Sequence, residues 1–367
     1  MSDADQGYQQ EARGRSSAPY WGGAAPSAPD GTVAVSGAAP RIGALMRAAW
    51  YDRQGPSSVL QVGELPTPEP GAGEVRVRLT RSGINPGDTK KRSAAFTGMP
   101  YPLVVPHSDG AGVVDAVGPG ADAFRVGRRV WVHGAQSYRQ FGTAAEYTVV
   151  PEALAVDLPD SVSDDLGASL GIPGVTAHRA VFGDGPVDGA TVLVHGVRGG
   201  VSSLAAQLAT WGGATVIGTL RSAPSSDAPL PGVASVVALD DDPAAAIRRL
   251  APDGVDRIVE VAFDANVELD AAVLKNLGTI AAFATHTDRP TFPFWPMLFS
   301  NTTIRLLGSD DFPEQAKAQA AADLTTAAAA GALTAHVGAV FPLDRIAEAQ
   351  DAVDSGAAHG RVLLAID

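Results

Sequence analysis

A run of β-type residues, Thr191-Val192-Leu193-Val194-His195, leads directly into Gly196-Val197-Arg198-Gly199-Gly200-Val201-Ser202-Ser203-Leu204. The order is strand, glycine turn, helix. Gly196 permits the tight turn, and Gly199 and Gly200 let backbone approach a pyrophosphate. Unpaired N–H groups at the helix start then bind the phosphates. The candidate contacts are Gly196, Arg198, Gly199, Gly200 and Val201. Ser202 stands where a third glycine usually lets the helix lie close to its strand, so a slightly looser helix is expected. The competing reading is a β–α turn with no ligand. A second β-type run about 20 residues on favours the dinucleotide reading.

The end of that second run bears on which dinucleotide. A free 2′-hydroxyl calls for Asp or Glu there. The chain instead reads Thr219-Leu220-Arg221-Ser222, with no carboxylate before Asp227. Arg221 can pair with a 2′-phosphate and Ser222 can add a hydrogen bond. NADPH is therefore the expected cofactor; the alternative is that Arg221 is an ordinary solvated loop residue.

Several kinds of element must position these residues. From about Ser169, six short β-type runs alternate with Ala-rich helical stretches: Thr191–His195, Thr215–Leu220, Ser235–Leu239, Arg257–Val261, Thr279–Ala284 and Ile304–Gly308. That alternation predicts a parallel sheet with right-handed crossovers. In the helix Ser203–Trp211, Leu204, Leu208 and Trp211 share one face. Before it, Val75–Leu79, Gly112–Val117, Arg129–Val132 and Glu146–Val150 read as short strands of a β-rich domain. After it come helices over Ala316–Ala330 and from about Leu343, then a strand over Arg361–Ile366. Residues 1–45, rich in Ala, Gly, Ser and Pro, read as a disordered tail, in which Tyr20-Trp21 is either solvated or a docking spot.

Composition removes whole classes of chemistry. The 367 residues include no cysteine, which excludes disulfides, Cys-ligated zinc, iron–sulfur clusters and thiol nucleophiles. A net charge of −13 argues against nucleic acid as a partner. No apolar run reaches the ~18 residues of a membrane span, and no signal-peptide core is visible. A cytoplasmic location is expected.

The order of motifs resembles the medium-chain dehydrogenase/reductase superfamily, in its zinc-independent quinone oxidoreductase (zeta-crystallin-like) branch. The segments carrying the likeness are Ser82-Gly83-Ile84-Asn85-Pro86-Gly87-Asp88, Pro106-His107-Ser108-Asp109-Gly110-Ala111-Gly112-Val113-Val114, and Arg125-Val126-Gly127-Arg128-Arg129-Val130. Gly142-Thr143-Ala144-Ala145-Glu146-Tyr147, Gly174-Val175-Thr176-Ala177, the glycine turn and His359-Gly360-Arg361-Val362 continue it. The resemblance implies an α/β fold, a Rossmann doubly wound parallel sheet (169–309) inserted into a GroES-like β-rich catalytic domain (46–168 and 310–367). It also implies a cofactor cleft between the two and a homodimer or homotetramer, the dimer being expected here.

Zinc enzymes of the superfamily place ligands where Asn85, Ser108 and, nearby, Ile172 stand here. None of these can ligate zinc as required, and no metal is expected. His107 is one residue out of register with the ligand histidine and reads as a core or loop residue. Without a metal, hydride transfer to a quinone or enone remains feasible, since the charge on the carbonyl oxygen needs hydrogen-bond donors. The candidate catalytic residues are Asn85, as donor or as a turn residue before Pro86; Asp88, as orienting group or helix cap; and Tyr138, in a loop expected to face the cleft. His133 is a weaker candidate beside an alternating-strand reading. The family's tyrosine in the loop after this motif is replaced by Lys90 and Lys91. By resemblance, Thr176 and Ala284 lie near the nicotinamide and Arg361 approaches the cofactor or closes the cleft. Phe292–Met297 forms either a substrate wall or a dimer contact.

The function expected is an NADPH-dependent quinone or enone reductase. The alternatives are an enoyl-thioester reductase, for which Lys90, Lys91 and Arg92 offer a basic patch, and a non-catalytic NADPH-binding protein.

Overall fold

The computed structural model describes residues 44–95, 98–223 and 229–366. The segment expected as a tail lies outside these up to residue 43, as do Tyr20-Trp21 and Asp227. Strand β1 (Leu45–Trp50) opens the fold and pairs with β2 (Gln61–Pro66) in a two-stranded ribbon.

A seven-stranded sheet follows. Its amino-terminal contribution is β3 (Glu74–Ile84), β4 (Asp109–Val117), β5 (Arg129–Val132), β6 (Tyr147–Pro151) and β7 (Ala155–Asp157). Helix α1 (Pro86–Arg92) leaves β3 at Asn85. Helices α2 (Asp164–Leu170) and α3 (Ile172–Phe182) then lead into the second sheet.

That second sheet has six strands, all parallel: β8 (Thr191–Val194), β9 (Thr215–Leu220), β10 (Ser235–Ala238), β11 (Val255–Glu260), β12 (Leu274–Ala282) and β13 (Thr303–Leu306). Their order is β10-β9-β8-β11-β12-β13. This is the doubly wound arrangement, and the order reverses between β8 and β11, where a ligand crevice forms. All six strands read from the sequence are present, although β12 starts five residues earlier than its apolar run. Helices α4 (Gly200–Trp211), α5 (Pro243–Leu250), α6 (Phe263–Val273) and α7 (Phe294–Phe299) belong to this part of the chain. Leu204 and Leu208 of α4 are buried as expected. Trp211 is not: it ends the helix 39% exposed, edge-on to Phe182.

The chain then returns through α8 (Glu314–Ala329), β14 (Val337–Pro342), α9 (Ile346–Asp354) and β15 (Arg361–Ala365). Strand β15 pairs antiparallel with β3, Val362 opposite Ile84. This pairing carries Arg361 from the far end of the chain to the Asn85 turn. The buried face of α8, Ala320, Ala321, Leu324, Ala327 and Ala328, follows the helical period and packs on α3. No helix of the described residues is long and apolar enough to cross a membrane.

Candidate functional site

The glycine turn is built as a cradle. Gly196 has φ +59°, a left-handed conformation that glycine adopts readily, and a Cβ there would sit 3.2 Å from Val261 Cγ1. Gly199 is extended at the N-cap of α4, and no side chain caps that terminus. Its first N–H groups are therefore open to an acceptor. The facing wall is Arg361, whose Cδ lies 3.2 Å from where a Gly200 Cβ would be. Arg198, Gly199, Gly200, Ser203, His336 and Arg361 line a narrow cavity here. Two buried polar atoms beside the turn have no partner: Arg361 Nε and Ser202 Oγ. Ser202 itself is fully enclosed. Uncapped helix, orphaned polar atoms and glycines at which a Cβ would be tight fit a dinucleotide pyrophosphate.

Arg221 and Ser222 are exposed at the carboxyl end of β9, the strand beside the turn. Val201 is half-buried in the first turn of α4, and the Arg198 side chain is exposed. Thr176 is buried on α3, and Ala284 follows β12, its carbonyl accepting the Phe263 N–H.

Next to the cradle lies a closed buried cluster. Asn85 Nδ2 donates to Asp109 Oδ2 at 2.7 Å, and the Ile172 N–H donates to Asp109 Oδ1 at 2.7 Å. Arg361 donates to the Ile84 carbonyl (2.9 Å), Asn85 Oδ1 (2.8 Å), the Ala168 carbonyl (3.3 Å) and Asp109 Oδ2 (3.4 Å). Side chains at Gly83 or Gly171 would collide with Arg361 or Asp109 respectively. Positions 85 and 172, where zinc-enzyme relatives carry ligands by the sequence likeness, thus meet around one carboxylate clamped by an arginine. Burial pushes Asp109 up to about 6, with Arg361 and Asn85 opposing it. Burial likewise lifts Asp88 to about 7.

The remaining candidates separate. Asp88 accepts the Asn85 N–H at 2.7 Å, as the acidic half of a capping box on α1. Tyr138 is 62% exposed and its hydroxyl donates to Asp311 at 2.7 Å. Burial and that carboxylate push it up to about 12, so its proton is already committed. His107 is a core residue, between Ser82 (3.0 Å) and Gln350 (3.1 Å), and burial pushes it down to about 3. His133 is also buried and held neutral, at about 4. The basic patch expected over 90–92 does not form as a unit. Arg92 turns inward to Gln350, Gly55 and Asp354, and Lys91 pairs with Asp310 at 3.1 Å.

Two family descriptions match, "Alcohol dehydrogenase GroES-like domain" over residues 71–160 and "Zinc-binding dehydrogenase" over 232–364. Quinone oxidoreductase of Rattus norvegicus is 30% identical over 328 residues, spanning 87% of this chain and 98% of that one. The chain belongs to the quinone oxidoreductase branch of the medium-chain dehydrogenase/reductase superfamily. The solved structure of a mycobacterial quinone oxidoreductase is similar with TM-score 0.76 at 28% identity, over 88% of this chain and all of that one. A mycobacterial protein complexed with NADPH matches with TM-score 0.75 at 28% identity over the same shares. Positions 85 and 108, which the sequence likeness gives as zinc-ligand positions in relatives, hold Asn and Ser, and Ile172 stands near the third.

This quinone oxidoreductase homologue also contains a group that the sequence reading missed. His195, Glu260 and Asp270 are fully buried and bring ligating atoms within 4.8 Å of one another. From the sequence His195 reads only as the last residue of a β-type run. Spacing gave no signal, because Asp270 lies 75 residues away on α6.

Proposed function

We propose that this chain is an NADPH-dependent reductase that transfers hydride to a quinone or α,β-unsaturated carbonyl without a metal. The observation that carries the reading is Arg361. Its aliphatic stem lies against the phosphate turn while its guanidinium holds Asn85 and Asp109. One residue therefore ties the cofactor cradle to the cluster that stands at the zinc-ligand positions of relatives.

Gly196, Gly199, Gly200 and the uncapped start of α4 would hold the pyrophosphate, with Arg198, Val201 and Arg361 beside it. Arg221 and Ser222 would take the 2′-phosphate, and Thr176 and Ala284 would flank the nicotinamide. When bound, NADPH supplies the hydride. Asn85 Nδ2 spends one N–H on Asp109, and in this reading the second would be offered to a substrate carbonyl oxygen that reaches the edge of the buried cluster, as negative charge develops there. The Arg361–Asp109 clamp fixes the amide's orientation, so the donor is set in advance. The proton that completes reduction comes from water, since Tyr138 is bound to Asp311. Splitting of the 90–92 patch weighs against a pantetheine-linked thioester as substrate.

Phe294, Trp295 and Phe299 are 53%, 64% and 75% exposed on α7, close in sequence to edge strand β13. An aromatic surface next to an open sheet edge suits a second copy of the chain, and a cytoplasmic homodimer is the assembly we infer. Stopped-flow NADPH oxidation with small quinones, cyclic enones and a crotonyl thioester tests the activity. Turnover of quinones or enones is expected; tight NADPH binding with no turnover of any acceptor refutes the reading.

A further inference from the structure

Beneath the phosphate turn runs a chain of buried polar contacts. Asp270 Oδ1 is 2.9 Å from His195 Nε2, and His195 Nδ1 is 2.9 Å from Thr219 Oγ1. Thr219 in turn receives both hydrogen bonds of the turn's first residues. Its hydroxyl oxygen accepts the Gly196 N–H at 3.3 Å, and its carbonyl accepts the Val197 N–H at 3.1 Å. In the neutral imidazole with Nε2–H given to Asp270, Nδ1 accepts the Thr219 hydroxyl proton; in the charged form, which burial opposes and the Asp270 and Glu260 carboxylates favour, Nδ1–H donates to Thr219 Oγ1 and the contact is kept. The hydroxyl oxygen is then free to accept from Gly196. In either form His195 joins Asp270 to Thr219.

Glu260 closes the other side. Its Oε2 lies 3.5 Å from His195 Nε2, and its Oε1 accepts the Asn266 amide at 3.1 Å and the Ala262 N–H. One oxygen of Glu260 and one of Asp270 have no hydrogen-bond partner. Such a group is an expensive way to fill a core, because apolar side chains of similar volume serve stability as well or better. Its connections explain its presence: they end on the one residue that both turn amides contact.

We propose that His195 is a positioning residue for cofactor binding: anchored on Asp270, it holds Thr219 so that the phosphate turn is set before NADPH arrives. The inference rests on the NADPH reading above. The Nε2–Oδ1 contact of 2.9 Å has hydrogen-bond length, shorter than the ~3.3 Å between two ligands of a tetrahedral zinc at ordinary bond lengths.

The test uses Thr219→Val, which removes the hydroxyl at equal size, Thr219→Ser, which restores it, and Asp270→Asn. Thr219→Val is expected to raise the NADPH Kd about tenfold. Adenosine 2′-monophosphate, which carries no phosphate for the turn, should shift less than about twofold, and Thr219→Ser should return NADPH to within about twofold of wild type. Asp270→Asn should weaken NADPH in the same sense. Amide exchange of the cofactor-free protein gives a second readout. The Val197 and Gly199 amides keep their own acceptors in Thr219→Val and should still exchange faster, because the turn is looser. Unchanged Kd and exchange alongside a lower Tm, or equal weakening of both ligands, overturns the proposal. A stoichiometric divalent ion in the purified protein that Asp270→Asn loses also overturns it. Wild type that fails to bind NADPH refutes the cofactor reading and the proposed binding role with it, while the exchange data separately decide whether Thr219 holds the turn.

Discussion

Arg361→Met isolates the clamp. The guanidinium is 3.4 Å from Asp109 Oδ2, and both side chains are buried. At an effective dielectric of about 20, unit charges at that separation attract by ~5 kcal/mol. Methionine keeps much of the volume and abandons Asp109 to Asn85 and the Ile172 N–H. It also leaves the Ile84 and Ala168 carbonyls and Asn85 Oδ1 without their donor. Removing one partner of a buried pair costs about 3–5 kcal/mol, and that loss is expected at pH 8 in urea unfolding followed by the fluorescence of buried Trp131. The penalty should shrink toward pH 5. Asp109 is already raised to about 6 beside Arg361, and losing the cation raises it further. A carboxyl with a raised folded pKa leaves the fold undisturbed below its unfolded value of about 3.9 and destabilises it progressively as pH climbs to the folded value. Asp109→Asn in the Arg361→Met background should recover at least ~2 kcal/mol, because no buried charge then remains. The reasoning is refuted if Arg361→Met stays within about 1 kcal/mol of wild type at pH 8, or if the second substitution recovers nothing.

Arg221→Ala should weaken NADPH about tenfold, as loss of a charge-assisted contact, and leave NADH nearly unchanged; equal weakening in paired titrations removes Arg221 from the 2′-phosphate. His107, held down at about 3 in the fold, takes up a proton below pH 6.5 only when unfolded. The stability lead of wild type over His107→Gln should therefore fall by ~2 kcal/mol between pH 7 and pH 5, and a pH-independent difference in urea titrations contradicts a neutral buried imidazole. Trp295→Ser with Phe299→Ser should convert a dimer to monomers in size-exclusion light scattering; a wild-type monomer, or a double variant that stays dimeric, refutes the α7 interface.

The sequence by itself determined what short-range chemistry determines. Alternating residues over Val75–Leu79 and six apolar runs after Ser169 specified strands, and those strands formed. Gly196, Gly199 and Gly200 between a strand and a helix specified a tight β–α turn with an uncapped helix start, because backbone conformation and missing side chains are local properties. Cysteine absence excluded thiolate ligands, and Asn85 and Ser108 stand at the ligand positions that the likeness gives in the zinc enzymes.

Only the tertiary structure decided how side chains were spent. Asn85 could have been a donor or a turn residue; it caps α1 while its amide bridges Asp109 and Arg361. The loop position of Tyr138 suggests a proton donor, and in the fold its hydroxyl donates to Asp311, 173 residues away. Lys90, Lys91 and Arg92 read as one patch, and pairing with Asp310 and Asp354 broke it up. Arg361 meets Asn85 across 276 residues and Asp109 across 252, and His195 meets Asp270 across 75. Periodicity carries no information over such separations. Which donor meets which buried acceptor depends on how the sheets register, β15 on β3 and β8 beside β9 and β11. Burial then makes those pairings strong by removing the water that would otherwise compete for every one of them.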